Sequence, residues 1–151
     1  HYAEVIHREK GMDITTLPGA GAAGGMGGGL LAFFNAELKP GTELLLKAID
    51  FSEKIKGADL IITGEGKADR QTAMGKVPYG ILKEAQKEHI PVIVLAGSIE
   101  NLPELNKAGF KGIFSIAPGP ITLEKAMEPE FAKENITRLV SQLYSVITSF
   151  G

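Results

Sequence analysis

The chain of 151 residues contains no cysteine. Disulfides, thiolate metal sites and cysteine nucleophiles are therefore excluded, and the composition suits a reducing, cytoplasmic setting. An excess of either charge is also lacking: 16 basic residues stand against 18 acidic ones, for a net charge of −2. Nothing points to nucleic acid, and no block of charge points to a membrane surface. No apolar run approaches the ~20 residues that a bilayer span needs. The histidines, His1, His7 and His89, are scattered without ligand spacing, so no zinc site is indicated. Tyr2, Tyr79 and Tyr144 form no stacking platform. No signal peptide is visible, and a chain opening on His1 is expected to begin at a processed, cloned or cut end.

What remains is an ordinary soluble composition, 44% hydrophobic and 23% charged, in roughly one domain's length. The 19 glycines are about twice the usual share of roughly 7%, and they are concentrated. Pro18 to Gly29 reads PGAGAAGGMGGG, followed by the apolar run Leu30 to Phe34. Before it, His1 to Lys10 reads as the end of a helix stopped by Gly11. After it, the spacing predicts a helix from Thr42 to about Asp50, capped by Thr42.

From Gly57 the pattern changes. Asp59 to Thr63, Ile90 to Leu95 and Gly112 to Ile116 are short apolar runs, each read as a buried strand. Helices are predicted between them, over Val77–His89 and Asn101–Ala108. A long amphipathic helix carrying Ala132, Ile136, Leu139, Val140, Leu143 and Ile147 on one stripe ends the chain. The alternation predicts an α/β fold: a parallel sheet of at least three strands with helices on both faces, a Rossmann-like or flavodoxin-like three-layer arrangement. The boundary is expected near residue 52, with residues 1–52 a glycine-rich segment of a second domain or hinge, and residues 53–151 the α/β domain. Ligands of such sheets bind outside the carboxyl ends of the strands, here Thr63–Gly66, Ala96–Ser98 and Ala117–Gly119.

Two stretches can carry chemistry. Gly19-Ala-Gly21-Ala-Ala-Gly24 matches the dinucleotide fingerprint in letters, but no good strand precedes it and no acidic strand end follows about 20 residues on. A nicotinamide oxidoreductase is thus the weaker alternative. An anion site at Gly19, Gly21, Gly24 and Gly25, with backbone N–H groups facing a phosphate or carboxylate, is preferred over plain glycine packing. The second stretch, Thr63 to Lys76, is read as a tight loop after the first strand. Its Glu65 and Asp69 can hold Mg²⁺, accept a proton or bind hydroxyls. Its Lys67, Arg70 and Lys76 can balance shifting phosphate charge. Thr63, Gly64, Gly66, Gln71 and Thr72 offer further donors and acceptors. The Walker A pattern fails, because Val77 follows Gly75-Lys76. Ser98 is either a helix-entry cap or a hydroxyl at the second strand end, and no nucleophile elbow surrounds it.

The runs LPGAGAAGGMGGGLLAFFNAELKPG, Leu17–Gly41, and GADLIITGEGKADRQTAMGKVPYGI, Gly57–Ile81, closely resemble the bacterial glycerate kinases of type I. The likeness continues through Ile90–Gly97 and covers nearly all of the chain. The resemblance implies the C-terminal part of a longer, two-domain α/β protein with its active site in the cleft between domains. It implies transfer of the γ-phosphoryl group of ATP to a hydroxyl of D-glycerate with Mg²⁺, the usual product being 2-phosphoglycerate. By position and chemistry, Glu65, Asp69 and Lys76 are the expected catalytic residues, with Glu65 and Asp69 also the expected Mg²⁺ ligands. Arg70, Gln71, Thr72, Ser98 and the glycines are expected to bind substrate or phosphate. The expected partners are ATP, D-glycerate and the N-terminal part of the same polypeptide; a homodimer and a non-catalytic ligand-binding relative are the open alternatives.

Overall fold

The computed structural model describes residues 1–100 and 102–149. Asn101, the expected first residue of a helix, lies outside them. By its internal contacts the chain divides into two units, His1–Leu44 and Leu45–Gly151.

In the first unit, α1 spans Tyr2–Lys10 and stops where expected. Gly11 adopts a left-handed φ of 67°, and its N–H donates to the His7 carbonyl at 2.8 Å. Only glycine takes that conformation without a side-chain penalty. The glycine run folds into α2, Ala22–Phe34, which breaks at its start: Ala23, Gly24 and Gly25 are all left-handed. A small core of Ile6, Ile14 and Ala20 holds the unit. The next helix, α3, spans Gly41–Ala48. It starts earlier than predicted, because the Leu44 N–H reaches back to the Pro40 carbonyl at 3.2 Å. Thr42 therefore lies within the first turn and is not the cap. Asp50 takes a left-handed φ of 51° and starts a separate short helix, α4, Phe51–Lys54.

The second unit holds the sheet. Its elements run β1 (Ile61–Ala68), a 3₁₀ turn (Arg70–Met74), α5 (Val77–Lys87), β2 (Val92–Ile99), α6 (Leu102–Ala108) and β3 (Gly112–Ser115). Two helices follow, α7 (Leu123–Ala126) and α8 (Pro129–Thr148). The three strands are parallel in the order β1-β2-β3. Val92, Val94 and Ala96 of β2 point to one face and pack with Leu82 and Ala85 of α5, Leu105 of α6 and Phe110. Ile93 and Leu95 alternate to the other face, as strand geometry requires. There Ile93 and Phe114 share a cavity lining with Leu143, Val146 and Ile147 of α8. The expected three-layer α/β arrangement is present, with the driest layer between the sheet and α5–α6. Among the described residues, no helix is long and apolar enough to cross a membrane.

Candidate functional site

The apolar runs of β1 and β2 end at Thr63 and Leu95, yet both strands continue. The ladder pairs Ile61 with Val92 and runs to Ala68 opposite Ile99. The expected loop at Gly64–Gly66 is thus strand, and so is Ala96–Ser98. The glycines explain the difference. A Cβ on Gly97 would lie 2.6 Å from the Gly66 carbonyl oxygen, and one on Gly64 would lie 3.2 Å from that of Leu95. Glycine here lets two backbones pair closely and does not mark a turn. Ser98, expected as a cap or a strand-end hydroxyl, is exposed on β2 and registers with Lys67. Lys67 pairs with Glu100 at 2.8 Å across the strand ends. That partner was not foreseen, although the register makes them neighbours.

Beyond Ala68 the chain turns sharply, and Asp69 organises the turn. Its carboxylate accepts the Gln71 N–H at 2.9 Å and caps the 3₁₀ turn. In return, the Thr72 hydroxyl oxygen accepts the Asp69 N–H at 3.0 Å. This is a reciprocal capping box. Gly75, with φ 122°, then redirects the chain so that Lys76 precedes α5. The Lys76 ammonium comes back to 3.3 Å from Asp69 Oδ1 and 4.0 Å from Glu65 Oε2. The fold therefore gathers three of the expected residues, Glu65, Asp69 and Lys76, around one ammonium. Glu65 is 12% exposed in its side chain, and its Oε1 is buried without a hydrogen-bond partner. Thr63 and Thr72 are buried, whereas Arg70 and Gln71 are exposed beside them.

Partial burial works against the charge on Asp69. The Lys76 ammonium and the N–H groups of Gln71 and Thr72 together outweigh it and hold the carboxyl below the ordinary carboxylate range. The sign of the pH effect follows. A depressed folded-state value stabilises the fold above the unfolded value of about 3.9. That stabilisation is lost as pH falls through the lower folded value. The expected result is a steeper acid loss of thermal midpoint below about pH 4 in wild type than in Asp69→Asn. Parallel acid limbs in the two proteins would contradict the bonding described.

The glycine run belongs to the other unit. The amides of Ala20, Ala22, Gly25 and Gly28 already donate to the carbonyls of Leu17, Gly19, Gly21 and Ala20. A Cβ on Gly28 would meet Ile14 at 2.5 Å, and one on Gly29 would meet the Tyr2 hydroxyl at 2.6 Å. Close packing therefore accounts for the later glycines. Gly21 and Gly24 meet nothing within 4 Å. Thr15 to Ala20, just before the run, form turns and no strand, so the dinucleotide fingerprint lacks the strand that its chemistry needs. Among the described residues, no group of three or more histidine, aspartate or glutamate side chains is placed to hold a metal ion.

Comparison with known proteins now adds to this geometry. The model of the glycerate kinase family matches residues 1–148. A glycerate kinase of Halalkalibacterium halodurans is 45% identical over 129 residues, 85% of this chain and 34% of its own length. The glycerate 2-kinase of Escherichia coli K12 is 43% identical over 139 residues, 91% of this chain and 36% of its own length. A crystal structure from Salmonella typhimurium LT2, described as a candidate glycerate kinase 2, superposes with a TM-score of 0.68 at 36% identity. It covers 98% of this chain and 37% of its own. The chain thus spans about a third of the length of the relatives that it matches.

Proposed function

Because the chain belongs to the glycerate kinase family, we propose that it supplies part of a longer cytoplasmic kinase acting on D-glycerate. The γ-phosphorus of ATP forms a bond to a glycerate hydroxyl oxygen, its bond to the ADP oxygen breaks, and the hydroxyl proton passes to a base. The product is 2-phosphoglycerate, a reading supported by the relative named glycerate 2-kinase. One observation carries the proposal: a single ammonium, Lys76, lies between two carboxylates at the carboxyl end of β1. Phosphoryl transfer asks for little more than positioning and charge stabilisation.

The roles follow from what each group has free. Lys76 faces the migrating phosphoryl charge. The Glu65 carboxylate, which faces Lys76 through Oε2, accepts the hydrogen bond of the attacking hydroxyl and takes its proton. Arg70 and Gln71, both exposed, reach phosphate oxygens and substrate hydroxyls, with the exposed Gly64, Gly66 and Ser98 of β1 and β2 beside them. Ala23, Gly24 and Gly25 form a left-handed turn, and turns of this kind can present backbone amides to an anion. That turn supports a carboxylate or phosphate role for Gly19, Gly21, Gly24 and Gly25.

The donor set also suits Mg²⁺ of one kind. Mg²⁺ keeps several waters and is usually held by one or two carboxylates together with substrate phosphates. Glu65, with its free oxygen, and Asp69 are such a pair. When bound, the ion would neutralise charge on the phosphate oxygens.

The test is ADP release by the complete polypeptide with ATP, Mg²⁺ and D-glycerate, with phosphorus NMR locating the product's phosphate. Glycerate-dependent release with the phosphate on C2 is expected. A folded protein that releases no ADP on glycerate addition would sink the proposal, and release undiminished by chelation would remove Mg²⁺ from it. Running residues 1–151 alone in parallel shows whether they suffice.

A further inference from the structure

Thr72 is 0% exposed. It cannot meet a ligand unless the turn opens, yet it sits between two groups of the proposed site. Its hydroxyl is the partner of the Asp69 N–H, at 3.0 Å. The Asp69 carboxylate in turn caps the same turn and holds Lys76 at 3.3 Å. With the proposed kinase reading as its basis, the geometry points to Thr72 as a positioning residue. Its hydroxyl locks the Asp69 backbone so that the carboxylate pins the Lys76 ammonium within 4.0 Å of Glu65.

Asp69 has one oxygen doing two things: Oδ1 accepts from both Gln71 N–H and Lys76. That double acceptance holds only while the carboxylate is fixed relative to the turn. The fixing bond is the one from Asp69 N–H to Thr72, since it closes the ring from the opposite side. The Thr72 methyl fills buried space and its β-branched side chain is stiff about χ1, so the hydroxyl has one direction to point. Without it, a partly buried N–H is left unpaired and the backbone at Asp69 is free to turn. Lys76, on a long stem and 38% exposed, then swings toward water. Asp69 is in this way a positioner of the ammonium, which in turn faces Glu65 Oε2.

The test uses the complete polypeptide and two readouts on Thr72→Val, nearly the same shape without the hydroxyl, and Thr72→Ser, which keeps it. The first readout is hydrogen exchange of the Asp69 amide, followed by proton–nitrogen NMR. Its N–H, bonded to the Thr72 hydroxyl at 3.0 Å, is expected to exchange roughly tenfold faster in the valine variant and to stay protected in the serine variant. The second is steady-state turnover: kcat is expected to fall on the order of a hundredfold in the valine variant. KM for D-glycerate should move far less, and serine should restore most of the rate. If the valine variant does not fold, Thr72→Cys replaces it with the same expectations, since a thiol is a poor acceptor. Unchanged Asp69 amide exchange on loss of the hydroxyl overturns the inference, and so does a serine variant as slow as valine. A wild-type protein without glycerate-dependent turnover removes the kinase reading instead, and the exchange still decides whether Thr72 holds the Asp69 backbone.

Discussion

Replacing Lys76 with methionine is expected to lower glycerate-dependent ATP turnover roughly 100- to 1,000-fold, the scale on which single pre-organised charge-stabilising donors act. The reason lies in what surrounds the ammonium. Asp69 Oδ1 at 3.3 Å and Glu65 Oε2 at 4.0 Å both face it. Methionine keeps the length of the stem and its contact with apolar neighbours but removes the charge. Two neighbouring carboxylates then lose the cation that faces both, and like charges repel. A triphosphate approaching the site meets net negative charge where it met an ammonium. The effect should fall chiefly on kcat if Lys76 acts on charge that develops in transfer, and on KM for ATP if it only holds the ground state. Measuring kcat and KM separately, with a thermal melt to confirm folding, distinguishes these cases. A variant with turnover within a fewfold of wild type would show that Lys76 is a surface ion pair and nothing more.

The second large effect is on stability, and its sign runs against propensity. A glycine-to-alanine change inside a helix ordinarily gains about 1 kcal/mol. Gly27→Ala is expected to cost roughly 3 kcal/mol, because overpacking a close contact forces backbone to move. Its Cβ would fall onto the Gly19 carbonyl oxygen, and it would also lie 3.2 Å from Leu38 Cδ1. The Gly19 backbone is not free to give: Gly19 is itself held at φ 84°, and its carbonyl accepts the Ala22 N–H at 3.0 Å. Gly21→Ala is the built-in control. Gly21 has φ −79°, and its Cβ would meet nothing within 4 Å. Denaturant midpoints of the two variants should therefore move in opposite directions or differ widely. Equal midpoints would mean that the glycine run is not there for close packing.

Much of the sheet is legible in the sequence because buried parallel strands are continuous apolar runs. Asp59–Thr63, Ile90–Leu95 and Gly112–Ile116 each announce a strand. The extension of β1 through Gly64-Glu65-Gly66-Lys67-Ala68 is invisible to that signal. Hydrophobic periodicity registers side chains, and a glycine that lets a neighbouring backbone approach has none to register. The break at Asp50 is hidden for a different reason: it is made by an aspartate in a left-handed conformation, without glycine or proline to mark it. The cluster of Glu65, Asp69 and Lys76 could be suspected from their crowding in one stretch. Which of them is free and which is already bonded could not, since that depends on how the 3₁₀ turn and Gly75 fold Lys76 back. Asp69 and Thr72, three apart, have the spacing of a reciprocal cap, a local signal for their mutual bond but not for the burial of Thr72. The glycine run is ambiguous in sequence because packing and anion binding call for the same residue, and only the neighbours of each absent Cβ separate them.

The ladder between β1 and β2 has one further meaning. Ile61 and Val92 open it, and the same ladder carries Glu65 and ends at Ala68, immediately before Asp69. Glu65 is therefore moored through β1 to β2, the central strand of the sheet, and Asp69 follows directly on the same ladder. Backbone that is already fixed has little conformational entropy left to lose. Substrate arrival need not freeze it, and the full strength of each contact is kept for orientation. Any motion that the reaction requires must come from the groups that approach this rigid ledge.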